Sequence, residues 1–232
     1  MKRFYKEVGV EEAEGGFVVT LDNRRMKTQG GQAQIVPTDA LARLLAGEWA
    51  AQGDTLDPKA FPFRDMADYA IDRVSAERDE VIDKLLSYAE TDTLCYRAEP
   101  GEALFERQEA EWEPVLAAFE KRHAVAFTRI SGIVHHAQSE DSLTRLREAL
   151  AEEDAFALAG LQTMASLAAS LCIAMESREA DNDAEALWDA STLEERWQVE
   201  QWGEDAEARE RSDRQRAEFL RAHRFYRAAK AA

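Results

Sequence analysis

Two cysteines, five prolines and four histidines are all that the 232 residues offer of the types that build disulfide frameworks, polyproline linkers and metal clusters. Cys95 and Cys172 lie far apart in unlike contexts, which excludes a disulfide scaffold and fits a reducing compartment with both thiols in the core. His135 and His136 are the only adjacent pair. Neighbours on a strand face opposite ways and cannot chelate one ion, so no metal site is expected. A glycine-rich phosphate loop, a nucleophile elbow, a dinucleotide fingerprint and paired metalloprotease histidines are all missing. No catalytic residue and no cofactor is therefore predicted, and the alternative reading is an enzyme with an unfamiliar small-molecule pocket between two domains. Positive charge is scarce too: 29 basic residues stand against 46 acidic ones, a formal net charge of −17. That field repels phosphate backbones and anionic lipids and excludes nucleic acid as a partner. One stretch free of formal charge, 155–175, has the length of a membrane span. Gly160, Gln162, Thr163, Ser166 and Ser170 dilute it, and acidic residues flank it where basic or aromatic ones would anchor a span. It is predicted as one buried central helix, without stable membrane insertion.

What is present divides into two patterns. In the first forty residues, short apolar runs alternate with turn chemistry. Phe17–Leu21 follows Gly15-Gly16, Asp22-Asn23 supplies a turn, and Ile35-Val36 ends at Pro37. Thr38 is a natural cap for a helix carrying Leu41, Leu44, Leu45 and Trp49. Beyond Pro62 the period becomes helical. Met66 to Ala89 reads as helix with a bend near Ser75, and Thr93–Ala98 as a brief strand or connector. A helix follows through Leu104, Trp112 and Phe119, then a return to β structure over Val125–His136 that includes Ile130, Ile133 and Val134. Helices at 142–150, from Asp154, around Trp188–Trp202 and on to Tyr226 have short connections and should pack as a bundle. The predicted class is α+β: a small N-terminal antiparallel sheet with a helix over 1–80, followed by a larger, mainly helical bundle domain over 81–232.

Of the five tryptophans, Trp202 is singled out. Gly203 after it should break the helix and leave the ring at an exposed corner, followed by Glu204, Asp205 and Glu207 at a new helix N-terminus. Carboxylates there complement the helix dipole by about 0.3–1 kcal/mol each without any partner. Aromatic rings favour binding hot spots, so these residues are the candidate partner-binding set.

Several ordered motifs run almost end to end: Arg3-Phe4-Tyr5-Lys6, Val19-x-Leu21-Asp22-x-Arg24, Val36-Pro37-Thr38, and Glu48-Trp49-x-x-Gln52. Thr91-Asp92-x-Leu94-Cys95-Tyr96-Arg97, Gln108-x-x-x-Trp112-x-Pro114 and Glu200-x-Trp202-Gly203-x-Asp205-x-Glu207 complete the series. In order and spacing the chain resembles the assembly chaperones of the ATP synthase catalytic head that act on the α subunit, the "ATP-twelve" family. The resemblance implies an N-terminal α/β part and a helical domain. It further implies a protein, not an enzyme, that binds the free α subunit and shields its β-facing interface until the hexamer assembles; the chain itself is expected to be a monomer. Trp202, Asp205 and Glu207 represent the family's acidic C-terminal stretch, and reversing either carboxylate is expected to leave the fold nearly intact. Arg97 is expected to pair with Asp92 or a helix end. An opening on the first family motif implies a bacterial cytoplasmic protein or the processed form of a mitochondrial matrix one.

Overall fold

The computed structural model describes residues 1–132 and 134–231, so Ile133 lies outside the described residues. In chain order the strands are β1 (Val8–Ala13), β2 (Gly16–Leu21), β3 (Arg24–Arg25), β4 (Ile35–Val36), β5 (Tyr96–Arg97) and β6 (Ile130–Ser131). The helices are α1 (Asp39–Ala50), α2 (Pro62–Tyr69), α3 (Arg78–Glu90), α4 (Ala103–His123), α5 (Glu140–Ala151), α6 (Ala155–Ala168), α7 (Leu171–Ser177), α8 (Ala184–Ser191), α9 (Leu193–Trp202) and α10 (Ala206–Ala229). A small N-terminal antiparallel sheet followed by a mainly helical remainder is the predicted α+β class. The chain divides into two compact units, the first comprising Met1–Arg78, Asp154–Gly160 and the segment from Arg224 on, the second Asp79–Glu153 and Leu161–His223.

In the first unit β2 pairs antiparallel with β1 along one edge and with β3 and β4 along the other. Turn chemistry sets this register. Asp22 and Asn23 both hold positive φ, 47° and 64°, which a two-residue hairpin loop requires and which these residue types tolerate. The Asp22 carboxylate accepts from the Lys6 and Glu7 N–H groups at 3.0 and 2.9 Å, and those two bonds hold it below the usual carboxylate range. Gly16 admits no side chain, because a Cβ there would meet the Val36 carbonyl oxygen at 2.2 Å. The core face carries Val19, Leu21, Leu45, Trp49 and Phe61, and Phe225 from the far end of the sequence completes it. As predicted, Thr38 caps α1, its Oγ1 accepting from the Leu41 N–H at 3.0 Å and donating to the Ala228 carbonyl at 2.6 Å. Glu48 caps α2 from outside the helix, accepting from the N–H groups of Phe63 and Arg64 at 2.7 and 2.9 Å. The predicted bend near Ser75 is a π-helical segment at Ala70–Val74 running into Ser75.

In the second unit α4 is the axis. Trp112 is fully buried and donates its Nε1–H to the Ala190 carbonyl at 2.7 Å. Three expectations are corrected here. The apolar stretch 155–175 is two helices: Ala169 takes a positive φ of 47°, and Ser170 Oγ accepts from the Ile173 N–H at 3.0 Å, starting α7 afresh. Among the described residues of 125–136 the predicted β return shrinks to Ile130 and Ser131, which pair in parallel with Tyr96 and Arg97, because Phe127 and Thr128 spend their N–H groups on the side chains of Glu120 and Gln138. Arg97 pairs with Glu109 and Glu113 of α4, not with Asp92. Asp92 is wholly buried and instead accepts from the N–H groups of Leu94 and Cys172 at 3.1 and 2.9 Å, tying the turn before β5 to the start of α7. Among the described residues no helix is long and apolar enough to cross a membrane.

Candidate partner-binding site

The sequence of α9, Leu193–Trp202, alternates glutamates, arginine and tryptophans with no apolar stripe, and only Leu193 is buried. Polar contacts therefore hold it on α4. Arg107 bonds Glu111 at 2.9 Å and Glu200 at 2.5 Å, Arg196 bonds Glu111 at 2.7 Å, and Gln108 donates to Glu194 at 2.7 Å. The Arg107 guanidinium also lies 5.7 Å from the centre of the Trp197 ring. The ladder is visible in its protonation. Burial opposes ionisation of Glu111, yet bonds from Arg107 and Arg196 hold its carboxyl below the ordinary value, and the Arg107 bond does the same for Glu200. Glu194, bonded to the neutral Gln108 where Glu111 meets two guanidinium groups, is pushed up by desolvation.

This arrangement leaves the end of α9 facing solvent. Trp202 is 77% exposed and Val199, one turn before it, 40%. Gly203 then takes φ 88°, as predicted for a helix breaker, and its N–H closes on the Val199 carbonyl at 2.8 Å. Asp205 is the cap of α10, its Oδ2 accepting from the Ala208 N–H at 3.2 Å. Glu204 pairs with Arg209 at 3.2 Å on the surface, and Glu207 sits exposed in the first turn. From Ala206 to Glu218 most of α10 is solvent-exposed, and burial begins at Phe219. An open groove of about 800 Å³ lies along α9 and the start of α10. Trp202, Glu204 and Asp205 line it and Glu207 does not.

The predicted residues thus share one corner, with differing duties. Because Asp205 caps a helix, reversing its charge costs about 1 kcal/mol more than the nearly neutral change expected from the sequence. Val199 and Arg211, which also line the groove, were missed. Val199 stands three residues before Trp202, on the same helical face, and that spacing was the available signal. Trp49 and Trp112 belong to the two cores. Cys95 and Cys172 are buried, and burial pushes both thiols well up, away from nucleophilic chemistry.

A sequence profile of the ATP12 chaperone protein family matches residues 2–120, just over half of the chain. The mitochondrial protein atp12 of the fission yeast Schizosaccharomyces pombe is 25% identical over 221 residues, covering 90% of this chain and 76% of that protein. Two solved structures of Atp12 from Paracoccus denitrificans, one of them of an aspartate-to-lysine mutant, superpose with a TM-score of 0.94 at 32% identity, covering 99% of this chain and 98% of theirs. The Atu1473 protein of Agrobacterium tumefaciens superposes with a TM-score of 0.91 at 35% identity, over 97% of this chain and 84% of its own. With its profile match and its near-complete overlap with structures of one kind, the chain belongs to the ATP12 chaperone protein family.

Proposed function

We propose that this chain is an assembly chaperone that binds the free α subunit of the ATP synthase catalytic head and shields the surface the β subunit later buries. The observation that carries the reading is Trp202, a large ring left 77% exposed beside the carboxylates at the start of α10 in a member of a chaperone family. An unassembled subunit presents an obligate interface, large and apolar, that aggregates until covered. A ring at a helix corner can enter such a surface, while Glu204, Asp205 and Glu207 meet cationic groups at its margin. Capture at equilibrium needs no bond-making step: a holder lowers the concentration of free sticky surface by mass action alone. The chain acts as a monomer in the compartment where the head is built, the bacterial cytoplasm or the mitochondrial matrix.

The test separates capping from contact. Asp205→Ser keeps a hydroxyl cap for the Ala208 N–H and removes the charge, so it leaves stability within about 0.5 kcal/mol of the parent. Trp202→Ala likewise removes an exposed side chain. Purified α subunit diluted from denaturant should stay in solution with the parent chain, aggregate with Trp202→Ala, and be held more weakly by Asp205→Ser. Light scattering unchanged by the parent chain would refute the chaperone reading. Full protection by both variants would remove the corner from it.

A further inference from the structure

The sheet of the first unit leaves the outer side of β1 unpaired. Antiparallel strands alternate the residues that bond a given neighbour. The register pairs Val8 with Leu21, Gly9 with Thr20, Val10 with Val19 and Glu11 with Val18, and the Asp22 N–H donates to the Glu7 carbonyl at 3.0 Å. Glu7, Gly9 and Glu11 are therefore the residues that bond β2. The N–H and C=O groups of Val8, Val10 and Glu12 point the other way, and among the described residues none of them has a partner. Natural edges are usually blunted by proline, lysine, a bulge or an overlying segment. β1 has six residues in unbroken register, with no proline and no lysine.

Two further observations say what fits there. Val8 and Val10 lie on the core-facing side, packed against the cluster of Val19 and Leu21, yet each is only half buried because the sheet stops beside them. A strand carrying apolar residues on that side would finish their burial. The segment 7–14 also holds four carboxylates, Glu7, Glu11, Glu12 and Glu14, and no basic residue. Among the described residues only Glu11 of these has a cationic partner, Arg25 at 3.3 Å. We propose that the free edge of β1 receives an extended segment of another polypeptide, with alternating apolar and basic residues, by strand addition. Its main chain bonds Val8, Val10 and Glu12, its apolar residues cover the two valines, and its basic residues answer the glutamates. A second copy of this chain is the wrong occupant, since pairing two such edges would bring two sets of four carboxylates together. That the added segment belongs to a chaperone client rests on the function proposed above; the edge itself does not.

The experiment uses the full chain and a labelled peptide of alternating valine and lysine, about nine residues long, enough to span the strand. A second peptide is N-methylated at alternate residues, so that it keeps its charge but cannot bond an edge. Fluorescence anisotropy should show the first peptide binding at least about tenfold more tightly, and amide exchange should slow at Val8, Val10 and Glu12 alone. Val10→Pro removes an outward N–H while leaving the bonds of Gly9 and Glu11 to β2, and it should weaken the first peptide by a similar factor. Failure of the plain peptide to bind, equal binding of both peptides, or protection located elsewhere would overturn the inference. So would sedimentation showing that the chain pairs with itself through β1. No ATP synthase component enters these measurements, so their failure is distinguishable from failure of the chaperone reading.

Discussion

At the level of single residues, the buried polar groups are the ones whose duties reach furthest from their sequence neighbours. Asp92 was legible as part of a motif, and its bond to the Leu94 N–H is local, but its partner the Cys172 N–H lies eighty residues away and cannot be read from spacing. Trp202 was legible because glycine follows it. Asp205 was read as dipole complement and is in fact a hydrogen-bonding cap, a distinction that depends on where α10 starts. His123 carried no signal at all. It ends α4 half buried, its ring 4.7 Å from that of Phe119, and its Nε2 has no hydrogen-bond partner among the described residues. Burial first, then the Arg178 charge, lowers its pKa to about 4, with Glu179 pulling the other way and Arg122 adding to the fall. An unfolded histidine titrates near 6.5, so between about pH 6.5 and 4 the unfolded chain binds a proton that the folded chain refuses. The stability that neutral His123 contributes is complete above pH 6.5 and is lost as the pH falls toward 4. Urea midpoints at pH 7 and pH 4.5 should differ less in His123→Gln than in the parent; an unchanged difference would show that the ring is not the group responsible.

At the level of elements, hydrophobic period located most of the helices, and tertiary bonds decided the exceptions. The break between α6 and α7 occurs at an alanine, a residue that favours continuation, because Ser170 offers a better start and Asp92 holds the Cys172 N–H. The expected strand over 125–136 had the right residue types, but its N–H groups found side chains before they found a neighbouring strand. α9 is the informative case, for an element with one buried residue has little apolar stabilisation and depends on its ion pairs with α4. Arg107 joins Glu111, Glu200 and the Trp197 ring, so Arg107→Ala removes three contacts together. Amides of α9 should then exchange on the order of tenfold faster while those around Trp112 stay protected, since a helix held this way opens below the global unfolding energy. Raising the salt of the parent chain should move α9 in the same direction. Exchange in α9 as slow as in α4 in the variant would mean that packing, not charge, holds the element.

For the molecule as a whole, the acidic total conceals an uneven distribution. α10 carries seven arginines and four carboxylates, a positive helix on a chain of −17, and Trp202 stands near its origin, at the end of the more acidic α9. The composition gave only the net value, because the sign of a surface is set by which charges share an element. Chain connectivity was equally invisible: no pattern in residues 1–78 announces that their core requires Phe225. Phe225→Ala should cost about 3–5 kcal/mol. Exchange should quicken in β2 and α1, more than two hundred and one hundred and seventy residues upstream respectively, and a loss confined to α10 would contradict that coupling. The same connection has a temporal side. Domains ordinarily fold as they leave the ribosome, N-terminal part first, while synthesis runs at roughly 5–20 residues per second. Phe225 is translated on the order of ten to forty seconds after Val19 at that pace. The first-made sheet must therefore wait, incomplete, until α10 emerges, and a member of a chaperone family spends its own birth with an unfinished surface.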